Sequence, residues 1–208
     1  MDSTLAAVLA VVNRDKELLL CKRSTQLNAH PGEVCLPGGK WERHDTTLTE
    51  TALREAHEEV GISRDLVRVK YQLEPVGSLA GIWIHPIVAP TIEDTIPITA
   101  LTINHDEVEE VDWIPLQIFL TNDNHDIVYY GSFPVHGFKR GNFHIYGLTA
   151  NISILIAIKE LRRAPDFDLT RSLTVETMKN MNPDQIVECY YDYYYEHVKP
   201  GMRGKVKL

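Results

Sequence analysis

Short runs of aliphatic and β-branched residues recur along the chain and predict β-strands. They occupy residues 5–12, 17–21, 67–73, 82–89 and 108–114. The first two runs are separated by the polar residues 13–16, so we expect them to be neighbouring strands joined by a turn.

Helical spacing of apolar residues appears in two other stretches, residues 47–60 and 149–162. Strands and long helices that alternate within one small domain are typical of an α/β fold, and we predict a sandwich of helices around a mixed β-sheet. Pro165 closes this domain, which we place at residues 1–165. Residues 166–208 are predicted to be a partly helical C-terminal extension, with one helix near residues 183–198.

The helix at residues 47–60 has the clearest boundaries. Thr47 followed three residues later by Glu50 matches a capping box, and Gly61 supplies a helix stop. Apolar residues at three- and four-residue spacing predict one buried stripe, made of Leu53, Ala56 and Val60.

Three glutamates crowd a neighbouring face of the same helix. Glu55, Glu58 and Glu59 stand at i, i+3 and i+4, where like charges cost about 0.2–0.5 kcal/mol per pair. Acids in the last turns also oppose the helix dipole. A divalent cation held by the three carboxylates would reverse the sign of these terms. The alternative is a solvated acidic face, but the glycine-rich loop at residues 36–40 allows backbone to approach a ligand and favours a site.

Composition and charge exclude several classes of protein. Hydrophobic residues make up 44% and charged residues 24%, as in ordinary globular proteins rather than disordered or fibrous ones. The 21 basic and 29 acidic residues give a net charge of −8, which argues against a polynucleotide partner. Three cysteines without paired spacing argue against a disulfide framework or a zinc site. No apolar run is long enough for a membrane span or has the flanks of a signal peptide, so secretion is not expected.

Residues 39–62 resemble the Nudix box, in which a glycine and an acid precede Arg-Glu-aliphatic-x-Glu-Glu-x-Gly-aliphatic. The second half matches without departure from Arg54 to Ile62. In the first half Asp45 replaces the usual glutamate, and the spacer before Arg54 is one residue longer than usual. Both departures are familiar from the coenzyme A diphosphatase branch of the Nudix hydrolases.

A second pattern upstream of the box resembles the same branch. The matching positions are Leu18-Leu19, Arg23-Ser24, Gly32 and Leu36-Pro37-Gly38-Gly39. Asn28 stands where the branch has a second arginine, and Leu36 replaces an aromatic residue. The resemblance covers roughly residues 3–163 and does not explain the C-terminal extension.

The resemblance implies a metal site and the residues that serve it. Mg²⁺, for which Mn²⁺ could substitute, would be held by Glu55 and Glu59 with Glu58 as an additional ligand, because hard cations prefer oxygen. Arg54 would orient these carboxylates. The general base stays open among four glutamates, namely Glu58, Glu107, Glu109 and Glu110.

Substrate contacts are predicted at the loop and its flanks. Gly38 and Gly39 would offer backbone to the ligand, and Arg23 and Arg43 would contact phosphates or serve as ordinary surface bases. The implied reaction is hydrolysis of coenzyme A or its derivatives to 3′,5′-ADP and 4′-phosphopantetheine. The alternatives are a pyrophosphatase for nucleotide sugars, dinucleoside polyphosphates or oxidised dNTPs, and a Nudix-shaped module that senses a nucleotide without cleaving it.

Other features have plainer interpretations. His30 and His85 are expected to pack or form hydrogen bonds, and His57 to be exposed. Cys21 and Cys35 fall in or near strands, where inert thiols are favoured over redox sensors. The tyrosines of the extension are expected to dock an aromatic helix face; they are Tyr190, Tyr191, Tyr193, Tyr194 and Tyr195. The last three residues, Val206-Lys207-Leu208, match two positions of a Ser-Lys-Leu address, so peroxisome and cytoplasm are both predicted compartments.

Overall fold

The computed structural model describes residues 4–78, 80–200 and 202–203. Its contacts divide the described chain into two compact units, residues 4–114 and 115–203. The domain boundary expected at residue 165 stays a prediction. The possible address at Val206-Lys207-Leu208 lies outside the described residues.

The first unit is built on one mixed sheet, which confirms the predicted α/β fold. Its strands are β1 (Leu5–Val12), β2 (Glu17–Arg23), β3 (Val34–Cys35), β4 (Gly38–Lys40), β5 (Tyr71–Gln72), β6 (Val76–Gly77), β7 (Trp83–Pro90) and β8 (Val108–Pro115). β1 runs antiparallel to β2 and β4 and parallel to β7, while β3 and β8 pair with β2. β5 and β6 pair antiparallel with β7.

The central position of β1 follows from its composition. Its aliphatic side chains are buried on both faces of the sheet, as expected for a strand covered on both sides. β1 pairs with β7 over its whole length, from Leu5 opposite Trp83 to Val12 opposite Pro90. The predicted strand at residues 67–73 is shorter than expected, because only Tyr71–Gln72 pairs as a strand and Val67 makes an isolated bridge to Thr91.

Helix α1 (Leu48–Val60) packs its buried stripe against this sheet, as predicted. The Thr47 side chain accepts a hydrogen bond from the Glu50 N–H, and Gly61 ends the helix at a φ of 72°. The reciprocal half of the predicted capping box is wrong. The Glu50 carboxylate accepts instead from the Thr46 backbone N–H and hydroxyl, one residue before the cap.

The second unit combines a three-stranded antiparallel sheet with helices. The elements are β9 (His125–Tyr130), β10 (Phe133–Arg140), β11 (Phe143–Tyr146), α2 (Gly147–Leu161), α3 (Val175–Met178) and α4 (Pro183–His197). α2 and α4 confirm the helices predicted at residues 149–162 and 183–198. The five tyrosines of α4 are buried and α4 packs on α2, as expected. The sheet was not predicted, because β9 exposes apolar residues on successive positions.

Candidate active site

The glycine-rich loop holds one glutamate of α1 by a backbone hydrogen bond. The N–H of Gly38 donates to Glu59 Oε2 at 2.9 Å. A Cβ at position 38 would lie 2.4 Å from the Ala7 carbonyl oxygen, and φ is 155°. Only glycine fits here. Without a side chain at position 38, β4 can lie against β1 with the Gly38 N–H directed at Glu59 of α1.

The next glycine makes room for a second carboxylate. A Cβ at position 39 would lie 2.4 Å from Glu55 Cδ and 2.5 Å from its Oε1. The Glu55 carboxylate therefore lies directly over the Gly39 backbone. The two predicted loop residues Gly38 and Gly39 thus each contact a different predicted metal ligand.

Arg54 connects the remaining acidic groups. Its Nη1 donates to Glu55 Oε1 at 3.0 Å and to Glu58 Oε2 at 3.1 Å. Its Nε and Nη2 donate to the two oxygens of Asp45 at 3.0 and 2.9 Å. Arg54 can therefore orient both glutamates only because Asp45 holds the other edge of its guanidinium group in a bidentate pair.

Asp45 is the site residue whose importance sequence reasoning missed. It was placed only as the acid of the Nudix box, yet it is buried and also accepts from the Thr51 hydroxyl and the Glu42 N–H. The Arg54 guanidinium beside it holds the pKa of its carboxyl well below the usual range. Its match to the acid position of the box was the only signal that the sequence offered for this role.

The carboxylates near the loop disfavour one another's charge. Burial, together with the negative charges of Glu55 and Glu107, raises the pKa of Glu59 to about 7 despite the Gly38 hydrogen bond. Burial also raises the pKa of Glu55, and the charges of Glu58 and Glu107 act in the same direction. Glu107, which immediately precedes β8, therefore acts electrostatically on the glutamates of α1.

Within the described residues, no three His, Cys, Asp or Glu side chains converge closely enough to hold one metal ion. The reason is local: Glu58 turns to Arg54 with a side chain 56% exposed, whereas Glu59 turns inward to Gly38. The donor chemistry nevertheless fits a hard divalent cation, because the cluster offers carboxylate oxygens whose mutual repulsion a cation would relieve.

The predicted phosphate-binding arginines differ in position. Arg23 lies close enough to Glu59 for its positive charge to lower the pKa of that carboxyl. The Arg23 Nε is buried and has no hydrogen-bond partner among the described residues, which leaves a donor for an anionic ligand. Arg43 is exposed, and among the described residues its side chain forms no hydrogen bond or ion pair with the acidic cluster.

The candidate general bases that precede or lie on β8 differ in their surroundings. Glu109 forms an ion pair with Lys22 at 2.9 Å, so its carboxylate already has a cationic partner. Glu107 is exposed and close enough to Glu55 and Glu59 to raise the pKa of both. Glu110 contributes only a charge that acts on Lys22. Glu107 is therefore the better placed of the later glutamates, and its role as base stays a prediction.

An open groove of about 390 Å³ borders the outer side of this network. Arg54 and Glu58 line it together with His57 and Arg64 from the end of α1 and the turn beyond. His57 is exposed, as predicted.

The two other histidines have the plain roles expected of them. His30 contacts Glu33 through Nδ1 at 2.9 Å. His85 is buried and its Nδ1 accepts from the Gln72 side-chain amide at 2.9 Å. Among the described residues, no helix is long and apolar enough to cross a membrane.

Comparisons with known proteins agree with this geometry. The family model described as the NUDIX domain matches residues 3–131. The peroxisomal coenzyme A diphosphatase ndx-8 of Caenorhabditis elegans is 36% identical over 205 residues, covering 94% of this chain and 86% of the relative. The peroxisomal coenzyme A diphosphatase NUDT7 of Mus musculus is 36% identical over 170 residues, covering 73% of this chain and 69% of the relative.

One solved structure superimposes on part of this chain. The MutT protein from Methanosarcina mazei Go1 superimposes with a TM-score of 0.46 at 24% identity. The superposition covers 56% of this chain and 80% of that one.

Proposed function

The chain belongs to the Nudix family, and from this premise we propose that it is a metal-dependent diphosphatase that cleaves coenzyme A or its derivatives. The products would be 3′,5′-ADP and 4′-phosphopantetheine, or the acylated form of the latter. Hydrolysis is favoured over mere sensing, because the box keeps its arginine and all three glutamates.

One observation carries the proposal: a buried carboxylate is placed beside other carboxylates at a glycine loop. Glu59 is 3% exposed, and Glu55 and Glu107 both raise its pKa. Burying a charge among like charges costs free energy unless a cation offsets it. A diphosphate hydrolase needs such an arrangement, because a cation must bridge acidic protein groups and an anionic substrate.

Four residues of the box would hold and orient the metal ion. Glu55 and Glu59 would hold Mg²⁺ or Mn²⁺, with Glu58 as a further ligand. When bound, the ion supplies charge neutralisation of the diphosphate and acidifies the attacking water. Arg54 keeps Glu55 and Glu58 oriented.

The remaining groups act on the substrate and the water. The free Nε–H of Arg23 would donate to a diphosphate oxygen and hold it in line for attack. Glu107 would accept the proton that the attacking water gives up, with Glu58 as the alternative base. The water oxygen bonds to one phosphorus while the bond from that phosphorus to the bridging oxygen breaks.

Coenzyme A is preferred over other diphosphates for two reasons. The two departures of the box and the upstream pattern both resemble the coenzyme A diphosphatase branch. Two relatives that align over most of the chain also carry that activity in their names. The names of these relatives also support a peroxisomal compartment, which a fluorescent fusion imaged with a peroxisomal marker would test. Diffuse cytoplasmic fluorescence would contradict it.

The test of the activity is product analysis. Purified protein incubated with coenzyme A and Mg²⁺ should release 3′,5′-ADP, and a chelator should stop the release. Nucleotide sugars, dinucleoside polyphosphates and oxidised dNTPs, compared by kcat/KM, should be poorer substrates. Intact coenzyme A after long incubation at high protein concentration would overturn the proposal.

A variant pair separates an enzyme from a sensor. Glu59→Gln should lower kcat by more than about 100-fold, since even outer-shell partners of a metal cost about 10- to 100-fold. The matched control is Glu93→Gln, at an exposed position away from the cluster, which should keep full turnover. A sensor would show no turnover in either variant or in the parent protein.

A further inference from the structure

Two of the three cysteines face each other across neighbouring strands. Cys21 of β2 is the register partner of Cys35 of β3 in an antiparallel pair. Residues directly opposite in such a pair have Cα atoms about 4.5–5.5 Å apart. Disulfides span Cα separations of about 4.4–6.8 Å, so the backbone at this pair already satisfies the distance that a disulfide needs.

The two side chains also lie on the same face of the sheet. Cys21 is in the hydrophobic core under α1, and Cys35 packs against that core. Burial raises the pKa of both thiols, that of Cys35 to about 12, so both sulfurs carry their proton near neutral pH. Cys21 is fully buried, whereas Cys35 is partly exposed, so an oxidant would reach the pair through Cys35. The reaction should be slow at neutral pH, because little thiolate is present.

The pair is close to the acidic cluster in both sequence and space. Cys35 is followed after two residues by Gly38, whose N–H holds the Glu59 carboxylate. The charge of Glu59 also acts on both thiols. A shift of β3 would therefore reach the hydrogen bond that positions a proposed metal ligand.

We propose that Cys21 and Cys35 form a dithiol modification site that a peroxide converts to a disulfide. The peroxide oxygen first bonds to the Cys35 sulfur, giving a sulfenic acid and water. The Cys21 sulfur then attacks the Cys35 sulfur, the S–S bond forms, and the hydroxyl leaves as a second water. Two thiols and one hydrogen peroxide give one disulfide and two waters, with two electrons passing from sulfur to oxygen.

Closure of the bond should lower turnover. The sulfur atoms must approach to about 2.05 Å with a fixed Cβ–S–S–Cβ dihedral angle. Both side chains must take up that geometry, and the short strand β3, which leads into Gly38, should adjust with them. A misplacement of about 1 Å near a catalytic centre can cost about 100-fold in rate. The modification site stands without the proposed function, whereas this consequence for turnover rests on it.

The site is tested by peptide mapping, which needs no substrate. The full-length protein is exposed to hydrogen peroxide, its remaining thiols are blocked, and the digest is analysed by mass spectrometry. The expected product is a linked peptide pair containing Cys21 and Cys35, lighter by about 2 Da than the two free peptides together. A reductant should separate the pair.

Three variants serve as controls. Cys189→Ser removes the remaining thiol, which lies on α4, and should leave the link unchanged. Cys35→Ser should abolish the link, and its partly exposed position favours normal folding. Cys21→Ala should leave only a reducible sulfenic acid on Cys35. Oxidation of Cys35 alone in the parent protein, or a link to Cys189, would overturn the assigned site.

Turnover is measured on the same samples with coenzyme A and Mg²⁺. The linked protein should lose at least about tenfold in kcat and recover it on reduction, while Cys35→Ser should resist peroxide. Full activity in linked protein would overturn the coupling to Gly38. Absence of hydrolysis before oxidation would count against the proposed function alone, because the peptide map decides the site independently.

Discussion

At the residue scale, two adjacent glycines have different reasons to be glycine. A side chain at position 38 would collide with the backbone of β1, at the Ala7 oxygen and the Val8 Cα. A side chain at position 39 would meet only the end of the flexible Glu55 side chain. Backbone cannot move without disturbing the sheet, whereas a carboxylate can swing away. Position 38 therefore must be glycine for the strands to pack, and position 39 must be glycine for Glu55 to keep its place.

This difference predicts opposite outcomes for two alanine variants. Gly39→Ala should fold with nearly unchanged stability and lose activity on coenzyme A, because Glu55 must leave its place. Gly38→Ala should lose about 2–4 kcal/mol in the free energy of unfolding, as expected for steric strain at a special φ. Denaturant unfolding and kcat, measured side by side, check both. Equal effects on stability would contradict the assignment.

At the element scale, α1 is fixed at two places, and its own sequence reveals only the first. Its apolar stripe packs on the sheet, and Arg54 reaches back to Asp45 in the loop before the helix. The Asp45 side chain is 3% exposed and the Arg54 side chain 19% exposed. This pair offsets the repulsion among the glutamates of α1 by placing a guanidinium between Glu55 and Glu58.

Asp45→Asn tests this anchor. The variant leaves the Arg54 guanidinium without its partner in a mostly buried position, and breaking such a pair costs about 3 kcal/mol. Activity should fall as well, since Arg54 no longer holds Glu55 and Glu58. The control is Asp94→Asn, which breaks the exposed ion pair with Arg14 and should cost less than about 1 kcal/mol. Thermal unfolding that does not distinguish the two variants would contradict the anchor.

At the scale of the whole molecule, the two units bury different titratable groups: the first buries a carboxylate, Glu59, and the second an imidazole, His136. The chain carries −8, so the proposed anionic substrate would have to be attracted locally, by the proposed cation and Arg23 in the first unit. The second unit buries a neutral histidine instead. His136 Nε2 donates to the Leu169 carbonyl at 3.0 Å, and its Nδ1 accepts from His125 Nε2 at 2.9 Å. Burial lowers the pKa of His136 from 6.5 to about 4.

This histidine predicts loss of stability in mild acid. Between pH 6.5 and 4, His136 is protonated in the unfolded chain but stays neutral in the folded protein. The free energy of unfolding therefore falls as pH falls. At about 1.4 kcal/mol per pH unit, the loss reaches about 3 kcal/mol. Glu59, whose pKa is raised to about 7, contributes the opposite slope. The comparison must therefore be made against a variant.

His136→Gln cannot titrate and should remove this part of the pH dependence. Urea unfolding at several pH values between 4 and 7 gives the slope for each protein. His105→Gln, at an exposed position, should keep the parent slope. Parallel slopes for the parent protein and His136→Gln would contradict the assignment, whatever the absolute stability of the variant.

Local physics accounts for what the sequence determined by itself. Helix α1, its Thr47 cap and its Gly61 stop follow from contacts within four residues along the chain. Strands β1 and β2 follow from the burial of continuous aliphatic runs. The Nudix box is likewise a contiguous pattern, so the family and its reaction class were readable before any coordinates.

The tertiary structure alone decided which of these residues meet. The bidentate pair of Asp45 with Arg54, the contact of Glu59 with Gly38 and the pairing of Cys21 with Cys35 join positions that are far apart in sequence. Glu58 and Glu59 are adjacent, yet one is exposed and the other buried. Pairing register and burial depend on the packing of several elements at once, and no local pattern encodes that packing.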